Sequence, residues 1–310
     1  MINFGLFRSI SVPGILRSSG AARVEFKAWL AQGNYRVSKI TSAAQDLVFH
    51  VVDVEPLIES FGYDHSRFAC AAFESVRDLR ADPGFPKATA WAAIRMYYAS
   101  FFAAHALLRY SGHACSQIDS EQAILVSKYA DLYGINERMG KGFYRAQWSP
   151  KSNDLIIEKL KDSHRDSWKA FDQWLHSAIR EFPEATGLTT SKVEAIEVLS
   201  ALRENLRFDG ANSGNWLSTF RNNLNYRQSY DAWYPYRKSA VRFDRISKYI
   251  DGWRSPQFNA MAALSEVDER AKFFGSCAVM MHLLSGVTLD LLRAAPRKSL
   301  HVQQTARLVQ

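Results

Sequence analysis

Arg221, Asn222, Asn225, Tyr226 and Arg227 crowd into one short stretch, residues 216–230 (WLSTFRNNLNYRQSY). It is the densest run of polar chemistry in the chain. A guanidinium can balance the charge of a phosphate, amides can hold its oxygens, and a phenol can donate to it. At helical spacing Arg221 and Asn225 share one face, and Asn222 and Tyr226 share the adjacent one. Asn competes for backbone hydrogen bonds and is a weak helix former, so something other than helix propensity must keep three of them here. Around this stretch, residues 216–254 carry eight Lys and Arg against three Asp, with ten aromatics interleaved. Arg237, Lys238 and Arg242 belong to this set. Cations bind phosphates while flat rings stack on unpaired bases, so the interval is expected to contact a polyanion. The competing reading is an aromatic core segment with a solvated basic face.

The other reactive side chains are scattered. His164 and His176 lie twelve residues apart in one helical region, away from metal-ligand spacing. His105 falls on an apolar helix face, where a satisfied core histidine is expected. His282 is isolated, and Asp64-His65 is no more than a pair. Cys70, Cys115 and Cys277 are far apart and form no CxxC, so zinc is not expected and an odd count suits a reducing compartment. No Gly-x-Ser-x-Gly elbow and no phosphate-binding GxxxxGK[ST] loop occurs. No cofactor is implied.

The elements that must position these groups are mostly helical. The chain has 310 residues, with 47% hydrophobic content and only 16 Gly and 9 Pro, which favours long regular elements. The net charge of +8, with a pI near 9.3, favours anionic partners. No signal peptide is expected, and apolar runs such as 278–284 are too short to span a bilayer, so a cytoplasmic protein without a membrane partner is expected. Residues 1–62 read as a small appendage, with strands at 35–40 and 46–54, a Gly33-Asn34 turn, and Pro56 and Gly62 as punctuation. Helices follow at about 66–79, then 87–110, where Trp91, Ile94, Tyr98, Phe101, Phe102, His105 and Leu108 mark an apolar face. Further helices are expected at 121–133 and 152–182, at 192–208 with Ser191 and Glu194 as a capping box, at 241–250 and at 266–293. Residues 134–150 read as a loop and residues 297–310 as a polar, disordered tail. The fold class is thus mainly α: a bundle over 63–296 with a small N-terminal appendage containing short strands.

Residues 90–112 (AWAAIRMYYASFFAAHALLRYSG) resemble the first long helix of HEPN domains, which often carry a Tyr-Tyr-Ala, Phe, Ala-Ala, Leu-Leu, Gly pattern. Arg221-Asn222 then resembles the later HEPN helix, where Arg, often with a following polar residue, precedes a His after four to six residues. The resemblance runs loosely over about residues 80–295 and closely over these two stretches. It implies a helical bundle that dimerises, with the two helices packed together near a two-fold axis. Many members are metal-independent ribonucleases of defence, toxin–antitoxin or RNA-processing systems. The positions of the family's His are here Tyr226, Arg227 and Gln228. Phenol ionises near pH 10 and is a poor base at neutrality, so the Arg half of the motif is present and the His half is missing. The expectation is a HEPN-like protein that binds RNA or nucleotide phosphate and cleaves RNA without metal if another group replaces the His. Arg221, Asn222 and Tyr226 would form the reacting set, and Arg227, Asn225, Arg237, Lys238 and Arg242 would bind phosphate. The alternative is a non-catalytic subunit that docks a protein partner such as an antitoxin.

Overall fold

The computed structural model describes residues 2–15, 24–38, 47–79, 89–187, 189–233, 243–294 and 300–309. Helices dominate, and a five-stranded antiparallel sheet joins them. After a 3-10 turn over Phe4–Ile10 come α1 (Phe26–Gln32), β1 (Tyr35–Ser38), β2 (Leu47–Val51), α2 (Val54–Ser75) and α3 (Ala90–Tyr110). Next are β3 (His113–Ile118), α4 (Ser120–Leu132), β4 (Gly142–Ser149), β5 (Asp154–Leu160) and α5 (Ser163–Glu181). The remainder is helical: α6 (Thr189–Leu206), α7 (Trp216–Arg227), α8 (Phe243–Gly252), α9 (Ala260–Leu264), α10 (Glu269–Ala294) and α11 (Leu300–Ala306).

The strand order is β1-β2-β5-β4-β3. The first two strands lie where the β-branched and aromatic runs place them. β3 lies where no element was expected. β4 takes part of the loop expected over 134–150, and β5 the first part of the helix expected over 152–182, whose remainder is α5. Period-two burial explains them. Tyr144, Ala146 and Trp148 of β4 and Leu155 and Ile157 of β5 point into the core, while Gln147 and Glu158 point out. Asn153, at φ 59°, turns the chain between them, and its Nδ2 donates to Val51 O at 2.7 Å. This ties the hairpin to β2. On the sheet, Tyr35 stacks on Phe49 with ring centroids 4.4 Å apart.

α3 and α10 form the centre, packed on each other and, for α3, along α2. α10 is long and apolar enough to cross a membrane, yet its apolar window is 89% buried in the fold, as in the core helix of a water-soluble protein. Pro56 and Gly62 do not interrupt the chain, since both lie inside α2. Pro56 sits in the first turn, where its missing N–H leaves no intrahelical bond unmade, and the Asp53 side chain accepts from Glu55 N at 3.2 Å. α6 begins at Thr189, so Ser191 is inside the helix and is not its cap. Within the tail expected to be disordered, residues Leu300–Ala306 form a helix. Val302, Thr305 and Ala306 are buried as α11 packs on α2 and α10. Residues 80–88, between the helices expected at 66–79 and 87–110, lie outside the described residues.

Candidate functional site

α7 forms as its sequence suggests and packs against α3, which brings the arginine-bearing and tyrosine-rich helices together. Leu217, Phe220, Arg221 and Leu224 face inward. Arg221 is 8% exposed, with its guanidinium carbon 5.0 Å from the Tyr97 ring centroid and 5.9 Å from that of Tyr98. Among the described residues no carboxylate pairs with it, and its Nε is enclosed with no partner. The electron-rich faces of two phenols therefore supply the compensation a buried cation needs.

The predicted companions of Arg221 are not beside it. Asn222, Tyr226 and Arg227 lie on the solvent side of α7, with Tyr226 77% exposed, and Asn225 is half-buried. Arg221 thus faces inward and Tyr226 outward, and the two do not share one face of α7. Arg237, Lys238 and Arg242 lie outside the described residues. The aromatics of the basic interval are largely core rather than stacking platforms. Trp216, Phe220, Tyr249 and Trp253 are buried, Lys248 pairs with Glu266 at 2.9 Å, and Arg254 pairs with Asp251 at 3.5 Å.

What lies beside Arg221 is a histidine from another helix. α5 starts where the Asp162 side chain accepts from Arg165 N at 2.6 Å, and this cap places His164 in its first turn, facing α3. Nδ1 of His164 is 3.0 Å from the Tyr97 hydroxyl, which also accepts from Trp168 Nε1 at 3.3 Å. Ser218 and Arg221 also hydrogen-bond this hydroxyl and favour its ionised form, but burial outweighs them and pushes the phenol up. The His164 imidazole is pulled below its ordinary value, first by burial and then by the Arg221 charge, against a smaller opposing pull from Asp162. It is held neutral at pH 7.

His164 is half-buried and opens on a cavity of about 290 Å³ walled by Phe68, Phe101, His105, Arg67 and Lys27. Behind that wall lies Arg109, fully buried. It donates to Asp64 at 3.5 Å, to His105 Nδ1 at 3.2 Å, to the His105 and Cys115 carbonyls, and to Ser116 Oγ at 2.9 Å. A guanidinium only donates, so His105 Nδ1 is the acceptor and the ring is the neutral Nε2–H tautomer. Burial and Arg109 drive its pKa well below the usual value. His105 is the satisfied core histidine its position suggested, although its edge reaches the cavity.

The pairing of His164 with Tyr97 has little signal in the sequence: 67 residues separate the two, and nothing local links them. Only the cap at Asp162, which fixes the turn that His164 occupies, was readable. Among the described residues no group of three His, Cys, Asp or Glu side chains could hold a metal ion. Against protein-family models, curated proteins and solved structures, this chain finds no match.

Proposed function

We propose that this chain is a cytoplasmic, HEPN-like, RNA-directed protein of a bacterial defence, toxin–antitoxin or RNA-processing system, in which His164 supplies the imidazole that the α7 motif lacks. The observation that carries this reading is the 3.0 Å contact between His164 Nδ1 and the Tyr97 hydroxyl, beside the buried Arg221 guanidinium. With Nδ1–H donating to the Tyr97 hydroxyl oxygen, Nε2 carries the free lone pair, and His164 lines the cavity. That lone pair takes the proton of a ribose 2′-hydroxyl as its oxygen attacks phosphorus. The P–O5′ bond breaks, and the same proton passes from Nε2 to the leaving 5′-oxygen. The products are a 2′,3′-cyclic phosphate and a 5′-hydroxyl. The nearby Arg221 charge makes the intermediate imidazolium a stronger acid, which favours that second transfer. Arg67 and Lys27 line the same cavity, where Arg67 pairs with Glu25 and Asp64 and Lys27 with Glu25 and Asp119, so a phosphate bound there competes with those carboxylates.

The test is cleavage of a fluorescently labelled single-stranded RNA in EDTA by the wild-type chain and by His164→Gln. Loss of cleavage with RNA binding retained supports the reading. Wild-type protein that neither cleaves nor binds in a salt-dependent way sinks it.

A specific observation favours the second reading, a non-catalytic assembly subunit. Trp91, at the start of α3, is 62% exposed and packs edge-on against Trp233 with ring centroids 5.6 Å apart, beyond the C-terminal end of α7. Large exposed aromatics mark docking surfaces. A homodimer in light scattering that becomes monomeric in Trp91→Arg, in a protein without RNA affinity, would favour it.

A further inference from the structure

A second concave site lies between β4, α5, α6 and the loop before α7, with a cavity of about 490 Å³. Its wall carries Arg145, Lys169, Arg203 and Arg207, and among the described residues Asp172 is its only carboxylate. Four cations against one carboxylate leave a local charge of +3.

Asp172 is fully used. One of its oxygens accepts from Arg203 Nε at 3.0 Å and Arg207 Nε at 2.8 Å, and the other from the two Nη2 atoms at 3.4 and 2.7 Å. A carboxylate offers about four lone-pair directions, and these four bonds fill them. Gly214, at φ 70°, lets the loop close over this carboxylate, since a Cβ there would stand 2.6 Å from Asp172 Cβ.

Arg145 gains nothing from that ion pair. Its two Nη groups are held by amides, Nη1 by Gln173 and Nη2 by Gln147 at 3.2 Å, and its Nε is enclosed with no partner. Glu158, opposite Arg145 in the β4–β5 register, lines the neighbouring cavity and forms no ion pair with it among the described residues. His113 Nδ1, on the same wall, is also enclosed without a partner. Burial, and then the Arg145 charge, pulls that imidazole down to about 3, so it stays neutral and adds no charge of its own. The unpartnered Arg145 Nε and an uncompensated cation surplus in one concavity are what an anion site offers before its ligand arrives.

From these observations we infer that the Arg145–Lys169–Arg203–Arg207 pocket binds a phosphoryl anion carrying two or more negative charges. Arg203 and Arg207 each keep an Nη1 group that the Asp172 pairs do not use, and Lys169 adds a point charge on the wall. The site is distinct from the His164 cavity, because α5 turns His164 and Trp168 toward α3 and Lys169, Asp172 and Gln173 toward this pocket. It does not depend on RNA cleavage.

The experiment is titration calorimetry and thermal unfolding of the full chain with inorganic phosphate and with pyrophosphate, against sodium chloride at equal ionic strength. Saturable binding, with a rise in melting temperature that chloride does not reproduce, is expected. Arg145→Gln/Lys169→Gln should weaken pyrophosphate at least about tenfold, given the usual strength of charge-assisted hydrogen bonds. Lys169→Gln alone, at an exposed position that leaves the fold untouched, should weaken it about threefold or more. A shift that chloride matches, or unchanged affinity in Lys169→Gln and in the double variant, overturns the inference. Neither probe contains a ribose, so failure here leaves the His164 reading untouched, and the converse also holds.

Discussion

Nδ1 of His164 and the hydroxyl of Tyr97 stand 3.0 Å apart, one on the first turn of α5 and the other buried in α3. This bond engages one ring nitrogen of a histidine that lines the cavity. Removing the imidazole with His164→Gln is expected to lower cleavage by about 10²–10⁴-fold, the usual share of a proton-transfer group. Tyr97→Phe keeps the ring under Arg221 and deletes only the hydroxyl, so a smaller fall is expected. Single-turnover rates on labelled RNA measure both.

The pH profile gives a separate check on Arg221. Burial and the Arg221 charge both depress the His164 pKa, so the neutral imidazole persists below its ordinary value of about 6.5. The acid limb of cleavage should therefore lie below that value in the wild type. Arg221→Gln removes one depressing charge and should move the limb toward higher pH. Arg221→Lys keeps the charge and should hold the limb near its wild-type position. Limbs that coincide in all three proteins would show that Arg221 acts only on packing.

Much of this arrangement was readable, but unevenly. The helices α3, α7 and α10 announce themselves because apolar spacing at 3.6 residues survives any tertiary context. α7 meets α3 as two apolar faces with one cation between them, which the Tyr97-Tyr98 and Arg221 residues hinted at. β4 and β5 were hidden by their own composition. The glycines at 134, 140 and 142 suggest a loop, and Leu155, Ile156 and Ile157 form an unbroken apolar triplet that fits a helix as well as a strand. Only pairing with β2 decides between them, and that is a contact over about a hundred residues. The resemblance grouped Asn222 and Tyr226 with Arg221, although helical spacing already set them on an adjacent face, and that face is exposed.

Buried neutral histidines predict how stability changes in acid. His65 is enclosed, with Nδ1 2.9 Å from the Ala106 carbonyl and Nε2 unpartnered, and burial pulls its pKa down to about 4. His113 is pulled down to about 3. In the unfolded chain both titrate near 6.5. The unfolded state therefore binds more protons than the folded state between roughly pH 6.5 and the folded pKa values, so stability is fully present above that window and is lost as pH falls through it. Shifts of this size correspond to about 3 kcal/mol for His65 and about 5 kcal/mol for His113 at the low end of the window. Urea unfolding at pH 7.5, 5.5 and 4.5 should show the midpoint falling, and His65→Gln should flatten the slope.

The closest helix contact in the core gives the sharpest steric prediction. Gly275 of α10 faces α9, and a Cβ there would stand 2.1 Å from the Ala263 carbonyl oxygen. That obstacle is backbone, so it cannot rotate away, and α9 must move with the aliphatic side chains it buries. Gly275→Ala is expected to cost about 3 kcal/mol or more, the upper range for overpacking. Gly286, two to three turns further along α10, meets the Phe4 ring at 2.2 Å. Phe4 is only half-buried and belongs to the N-terminal 3-10 turn, so its ring can swing outward. Gly286→Ala should therefore cost less, nearer about 1 kcal/mol. Equilibrium denaturation of the two variants measures the difference. Equal losses would mean that α9 yields as easily as a surface aromatic, and that the α9–α10 contact is not a rigid part of the core.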